Sequence, residues 1–160
     1  MIVTVGAHEE KTVLIDSPGR YVVELVGEGA QAHVKGAFVA KGKEVIVVDL
    51  VIHHRAPHTS AKTVLKGTAA GSSKLSFKGK IIIDPECPDT QSFLTERILL
   101  LSDTASAEAV PELEILSDDV KCSHAASVSK IPELQVFYLQ SRGISRRQAE
   151  ELIVESFLAI

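Results

Sequence analysis

Two side chains that can bind a metal, or act as a nucleophile and its base, lie two positions apart at Cys122 and His124. Side chains on a β-strand alternate between its two faces, so on a strand both would point to the same side. They follow Asp118 and Asp119, whose residue type is typical of a turn just before the strand. The spacing permits a shared metal ion, a nucleophile with its base, or a purely structural role.

The rest of the sequence argues against the nucleophile but does not decide between a metal site and a structural role. A Cys–His hydrolase needs a third group to orient the imidazole and an oxyanion turn, and the sequence shows neither. Cys87 and Cys122 are the only two cysteines, too few for a disulfide framework or a four-thiolate metal cage. An isolated Cys-x-His pair is most often structural, so the metal and structural interpretations both stay open.

The second cysteine, Cys87, lies in the segment DPECPD. Its prolines and acidic residues predict a turn, and acidic neighbours raise the pKa of a thiol. Cys87 is therefore a weaker candidate ligand than Cys122.

Three histidines, His53, His54 and His58, fall within the segment HHRAPH. Three imidazoles could bind zinc, but the first two are adjacent and on a strand would face opposite sides. Polar loop residues are the favoured interpretation, with a metal site as the alternative.

Composition and charge exclude several classes of protein. The chain has 160 residues, which predicts one domain, and its net charge of −4 gives no basic patch for nucleic acid. No apolar stretch approaches the ~18–20 residues of a membrane span, and the N-terminus lacks a signal pattern. We expect a cytoplasmic protein with reduced cysteines.

Short runs rich in valine, isoleucine and threonine predict strands over most of the chain, with no helical pattern between them. They cover residues 21–26, 32–40, 44–54, 62–69, 74–83, 97–102 and 112–116. An apolar residue followed by Lys-Gly recurs at 34–36, 65–67 and 77–79. Such a repeat suggests a solenoid, although a β-sandwich with glycine bulges fits the pattern equally well.

The last thirty residues read as two helices. Pro132 suits the first turn of a helix that runs to about Gln140, and Gly143 suits its end. Ser145 and Gln148 form a capping-box pattern at the start of a second helix. Apolar residues then recur at helical spacing. They are Ala149, Leu152, Ile153, Phe157 and Ile160, together with the small residue Ser156. The predicted boundaries are 1–128 for the β core and 129–160 for the helical tail.

Four segments together resemble the SufB/SufD family of iron–sulfur cluster assembly scaffolds. They are residues 53–83, LLLSD (99–103), PELEILSDDVKCSHAASVSKI (111–131) and FYLQSRGISRRQAEELIVESF (137–157). The resemblance implies a mainly β fold, a right-handed parallel β-helix followed by a small two-helix tail. It also implies a scaffold without enzymatic activity of its own.

The resemblance further implies partners and a site. The tail would dock a SufC-like ABC ATPase, and the β-helix would pair with itself or with a second SufB/SufD-type chain near residues 111–127. The family's Cys-Ser-His motif falls on Cys122, Ser123 and His124, which would bind a transient iron–sulfur cluster. Cys122 and His124 are thus the predicted metal ligands.

The match is closer to SufD-type than to SufB-type chains at this motif. SufB-type chains place a glutamate directly after the histidine, where Ala125 stands, and a cysteine where Ala105 or Ser106 stands. The long N-terminal region with the sulfur-accepting cysteines of SufB has no counterpart in these residues. Sulfur acceptance by this chain alone is therefore not expected.

Three functional hypotheses follow. The first is a scaffold that binds a nascent cluster, forms a homodimer and docks an ATPase. The second is a structural adaptor that positions the ATPase and holds no cluster. The third, a Cys–His hydrolase, is remote because no oxyanion turn is recognisable.

Overall fold

The structure, a computed structural model, describes residues 1–160 and contains ten strands and two helices. The strands are β1 (Ile2–Val5), β2 (Glu10–Ile15), β3 (Gly19–Leu25), β4 (Gln31–Ala40), β5 (Val45–His54), β6 (Ser60–Ala69), β7 (Lys74–Ile83), β8 (Thr90–Leu100), β9 (Ser106–Ile115) and β10 (Val120–Lys130). The helices are α1 (Glu133–Ser141) and α2 (Arg146–Leu158).

Consecutive strands alternate between two sheets. One sheet has the order β1-β3-β5-β7-β9 and the other β10-β8-β6-β4-β2, and every strand pair is parallel. The chain therefore winds as a β-solenoid of about four turns. The predicted parallel β-helix with a two-helix tail is confirmed, and the sandwich alternative, which requires antiparallel pairs, is wrong.

Predicted and observed strands agree best where the runs are apolar. Segments 32–40, 62–69 and 74–83 match β4, β6 and β7 to within two residues. The prediction at 97–102 captured only the end of β8, because the first half of that strand, including Thr90 and Ser92, is polar yet buried. The run 112–116 covered only the second half of β9, and β1, β2 and β10 were not among the predicted runs.

The interior lies between the two sheets and is filled by alternate residues of each strand. In β7, the inward residues Leu75, Phe77, Ile81 and Ile83 are all fully buried or nearly so, while their neighbours face outward. Phe77 packs edge-on against Phe38 of the opposite sheet, with ring centroids 5.7 Å apart. Aliphatic side chains fill most of the interior, and the buried aromatic residues are Tyr21, Phe38 and Phe77.

One of the two corners repeats the same backbone device in each turn of the solenoid. Its residues have positive φ and stack along the axis: His8, Gly29, His58, Asp89 and Asp119. Successive corners are joined by backbone hydrogen bonds, such as the one from His58 N to the Pro88 carbonyl at 3.0 Å. Asn, Asp, His and Gly tolerate this left-handed conformation best, which explains the residue types. Asp119 is thus a turn residue, as the sequence predicted.

The Lys-Gly repeat does not mark the turns of the solenoid. Gly36 and Gly67 lie in the same sheet but out of register, since Gly67 lies beside Phe38, and Gly79 lies in the other sheet. All three glycines face the interior. Their shared role is to leave room for side chains packed in the interior, among them Leu65 at Gly36, Leu75 at Gly67 and Leu94 at Gly79.

The helical tail follows the prediction closely. α1 begins after Pro132, and Gly143 ends it with a φ of 85° and a hydrogen bond from its N–H to Gln140 O. The capping box of Ser145 and Gln148 is present at the start of α2. Neither helix is long and apolar enough to cross a membrane.

The second helix packs on the solenoid near β6. Lys66 donates a hydrogen bond to the carbonyl of Ala159 at 2.6 Å, and its ammonium lies 5.8 Å from the Phe157 ring centroid. Val136 of α1 and Ala149 of α2 are buried, and the two helices contact each other. The apolar residues predicted at helical spacing on α2 are therefore only partly buried, since Ala149 is covered and Leu152 stays exposed.

Replacing Gly67 with alanine should lower the free energy of unfolding by about 1–3 kcal/mol, because the interior has no space for a side chain there. An added Cβ would lie 2.3 Å from Leu75 Cδ2 and 3.0 Å from Phe77 Cζ, both buried. Urea denaturation measures the change. Gly6→Ala is the matched control, since its Cβ meets only Glu9 at 3.5 Å. Equal stability of the two variants would contradict the packing account.

Candidate functional site

The site lies at the C-terminal end of the solenoid, where the last turn has no further turn on top of it. β9 and β10 are the outermost strands of their sheets. Residues of β9 that point inward, in register with Ile81 and Ile83, are left partly uncovered. Leu113 is 49% exposed and Ile115 40% exposed. This end therefore presents an apolar opening into the solenoid.

Cys122 and His124 lie on the inward face of β10, at this opening. They pair with Ser92 and Leu94 of β8, and their alternation with exposed Ser123 matches the predicted strand geometry. Cys122 is partly buried and packs against the apolar cluster that includes Ile83 and Leu94. No hydrogen bond joins its thiol to His124, whose imidazole is directed to another residue.

That residue is Glu96 of β8, which the sequence analysis missed. It is fully buried, and its Oε2 lies 3.3 Å from His124 Nε2. Its Oε1 and His124 Nδ1 are both buried without a hydrogen-bond partner. Gly79 leaves room for the Glu96 carboxyl group because it has no side chain. A Cβ at position 79 would lie 2.5 Å from Glu96 Oε1. A third group therefore does lie beside the imidazole, although the sequence pattern showed none.

A signal for Glu96 was present in the sequence. Along β8 the inward positions include Leu94 and Ile98, and strict alternation places Glu96 between them on the same face. An acidic residue at an inward position is rare in a core, because burying an unpaired charge is costly. Such a residue is a candidate functional group.

Burial favours the uncharged form of each of these three groups. It raises the pKa of Glu96 to about 7, raises the pKa of the Cys122 thiol and lowers the pKa of the His124 imidazole. At neutral pH the cysteine is thus a thiol, so metal binding must displace its proton.

The residues present fit a soft metal or an iron–sulfur cluster, but only in part. A cysteine sulfur and an unpaired imidazole nitrogen are ligands that iron–sulfur centres accept. Within one chain, no group of three or more histidine, cysteine or acidic residues is placed to hold a metal ion. One chain therefore supplies an incomplete ligand set.

The three histidines of HHRAPH do not come together. His53 Nε2 lies 2.8 Å from Asp84 on the outer face, and His58 Nδ1 lies 3.3 Å from Asp89 at the corner. His54 points into the interior instead. His53 and His54 end strand β5, so the expected loop position is wrong for them, whereas His58 does lie in a turn. The two adjacent histidines face opposite sides, as expected on a strand, and the three do not form a metal site.

His54 joins a buried polar network. Its Nδ1 lies 2.8 Å from Thr59 Oγ1 and its Nε2 lies 2.9 Å from Ser92 Oγ. Thr59 also contacts Thr90 Oγ1 at 3.3 Å. Because Ser92 pairs with Cys122 on the next strand, this network reaches to directly beneath the candidate ligand.

Cys87 lies in a turn, as predicted, but its side chain points into the interior of the solenoid. The side chain is buried, with its Sγ 3.9 Å from the His54 carbonyl and in the same apolar cluster that Cys122 contacts. Burial raises the pKa of its thiol, and the carboxylates of Asp84 and Glu86 raise it further. The acidic neighbours act in the predicted direction, although burial is the larger cause.

Comparison with known proteins matches this architecture. Residues 18–157 match the family described as SUF system FeS cluster assembly, SufBD core domain. A protein of Staphylococcus epidermidis described as an iron-sulfur cluster assembly SufBD family protein is 33% identical over 135 residues. Proteins of Staphylococcus haemolyticus and Staphylococcus aureus with that description show the same identity. Each alignment covers 84% of this chain and 29% of the relative, so the chain spans less than a third of their length.

The fold and the site define a parallel β-solenoid with a thiol and an imidazole at one open end. The chain belongs to the SufBD core domain family of the SUF iron–sulfur cluster assembly system. This confirms the resemblance drawn from the sequence.

The buried histidine makes stability dependent on pH. Burial, with repulsion from His53, lowers the pKa of His54 from 6.5 to about 4. Between these values the unfolded chain binds a proton that the folded chain does not. Stability is therefore fully present above pH 6.5 and lost as pH falls toward 4.

Between pH 7 and pH 5, we expect the free energy of unfolding of the wild-type protein to fall by about 2 kcal/mol more than that of His54→Gln. Urea denaturation at a fixed protein concentration measures both. Glu96 titrates in both proteins, so its opposite effect cancels in the comparison. Parallel pH dependences would show that His54 is not held neutral by burial.

Proposed function

We propose that the chain is a scaffold subunit on which an iron–sulfur cluster is assembled, within the system to which its family belongs. The observation that carries this proposal is the position of Cys122 and His124 on the inward face of the uncovered last turn. The cluster is cargo, built and then passed on. We place this activity in the cytoplasm, where thiols stay reduced.

Pairing of two subunits would complete the site. The end strands β9 and β10 carry unpaired edges and exposed apolar residues, which favour association. A two-fold axis near Cys122 would bring together two thiolates and two imidazoles, enough for a mixed Cys/His centre. The partner is a second copy of this chain or another SufB/SufD-type chain.

Sparse ligation suits release of the product. A closed cage in one rigid chain would store a cluster, whereas a site divided between two subunits opens when they move apart. A SufC-like ABC ATPase that dimerises on nucleotide at the two tails would supply that motion. The scaffold needs no catalytic group of its own for this role.

The helical tail offers the docking surface for the ATPase. On α1, Leu134 is 78% exposed, Phe137 66% and Tyr138 57%, so this helix keeps an apolar face that the solenoid does not cover. Val136 of α1 and Ala149 of α2 are buried, and the two helices are in contact, so each helix also has a covered side. The tail is thus anchored to the solenoid and open to a partner.

The alternative function is a structural adaptor that positions the ATPase and holds no cluster. The observation favouring it is that one chain has no group of three metal-binding side chains. A hydrolase gains little support, because the imidazole contacts Glu96 and not the Cys122 thiol. Cluster reconstitution separates the scaffold from the adaptor.

Cys122→Ala and His124→Ala should each remove cluster accumulation without unfolding the protein, since both residues lie at the solenoid end. Anaerobic incubation with iron and sulfide, followed by visible absorption, measures the cluster. Circular dichroism checks the fold. Cys87→Ala is the control and should have a smaller effect, because that thiol is 2% exposed and turned inward.

Normal reconstitution by Cys122→Ala would overturn the site assignment. Failure of the wild-type protein to form any cluster would favour the adaptor function.

Phe137→Asp should weaken binding of a SufC-like ATPase at least tenfold, because a charge replaces an exposed apolar contact. Titration calorimetry or surface plasmon resonance measures the affinity. Gln140→Asp introduces the same charge at an exposed polar position of the same helix and should bind nearly normally. Equal affinities of the two variants would place the docking surface elsewhere.

A further inference from the structure

The pair formed by Glu96 and His124 differs from every other histidine–carboxylate pair in the molecule. His33, His53 and His58 also lie beside acidic residues, but all three pairs are on the surface and partly or well exposed. The His124 side chain is 7% exposed and Glu96 is fully buried. Surface pairs of this kind contribute little, whereas burying two ionisable groups costs desolvation that their mutual contact must offset.

The inward positions on either side of Glu96 along its strand are apolar. Glu96 stands on a face otherwise occupied by Leu94 and Ile98, and an apolar side chain would fill the space made by Gly79. Its one hydrogen-bond partner is His124 Nε2, and its Oε1 has none. The carboxyl group is therefore directed at the imidazole rather than at the backbone or at a neighbouring strand.

The contacts select one tautomer of His124. A neutral imidazole carries a single proton, on Nε2 or on Nδ1. With the proton on Nε2, Glu96 accepts it, and Nδ1 carries a free lone pair. With the proton on Nδ1, a protonated Glu96 could donate from Oε2 to Nε2, but the buried Nδ1–H would then have no acceptor, because Nδ1 has no partner in the chain.

From this geometry we infer that Glu96 is a positioning residue, which accepts the Nε2 proton of His124 and so presents Nδ1 as the atom that binds metal. The inference rests on the proposed function only in taking His124 as a metal ligand. Histidines that bind metals commonly donate their other ring N–H to a carboxylate, which fixes the ring and makes the ligand nitrogen more basic. Nδ1, buried and unpaired, is the atom left free for that role.

The tautomer can be measured directly in the metal-free protein. Long-range ¹H–¹⁵N correlation NMR of histidine-labelled protein distinguishes the protonated from the unprotonated ring nitrogen. We expect His124 as the Nε2–H tautomer. Glu96→Ala should lose this preference, and Glu96→Gln should retain it, because the amide oxygen can accept the same proton. A wild-type His124 protonated on Nδ1 would overturn the inference, whether or not any variant folds.

Cobalt(II) alone is the metal probe, because its visible absorption reports thiolate and imidazole ligation. Glu96→Ala should bind Co²⁺ about 10- to 100-fold more weakly than wild type, and Glu96→Gln should recover most of that loss. Glu112→Ala, which removes an exposed carboxylate on β9 beside Lys80, is the control and should bind normally.

Unchanged Co²⁺ affinity in Glu96→Ala, or no Co²⁺ binding by the wild-type protein, would overturn the inference. The outcomes are separable from those of the proposed function. An Nε2–H tautomer and Co²⁺ binding without cluster formation would sink the scaffold proposal alone. A cluster held through Nε2 of His124 would sink the positioning role alone.

Discussion

Each turn of this solenoid buries its inward side chains against the opposite sheet and against the turns beside it, and a turn at the end lacks one of these neighbours. In the middle, β5 to β8 have neighbours on both sides, and inward residues such as Leu65 and Phe77 are fully buried. At the C-terminal end the stacking stops, and Leu113 remains half exposed. The end therefore exposes apolar surface and polar groups that no further turn of the solenoid covers.

The candidate metal ligands, Cys122 and His124, and the buried Glu96 lie at the C-terminal end of the solenoid, in its last strand β10 and the adjacent β8. Glu96 lies one layer inside the end and His124 lies in the last layer, so their contact runs along the solenoid axis between neighbouring strands. Cys122 shares the inward face of His124 and lies over Ser92, where the buried network of His54 ends. A site built in this way is shaped by a rigid core on one side and open on the other. That arrangement suits a cargo that must be gained and lost.

The sequence predicted the tail well because its signals are local. The capping box of Ser145 and Gln148 and the stop at Gly143 each depend on a few neighbouring residues. The solenoid was identified by resemblance, because pattern alone left the sandwich open and the Lys-Gly repeat did not follow the turns. Glu96 was missed because its partner lies 28 residues away, and only the register of β8 and β10 brings the two together. The alternation along β8 indicates that Glu96 points inward, but it does not indicate that His124 is the residue it contacts.

The stoichiometry of cluster binding tests most directly the proposal that two subunits share one cluster. Native mass spectrometry of the anaerobically reconstituted protein gives the mass of each assembled species with its iron and sulfide. The account predicts one cluster per pair of chains and no cluster on single chains. Leu113→Asp, which places a charge in the exposed apolar end, should lose both the pair and the cluster, whereas Leu14→Asp, on the outward face of β2, should keep both. One cluster on each separate chain would contradict the account.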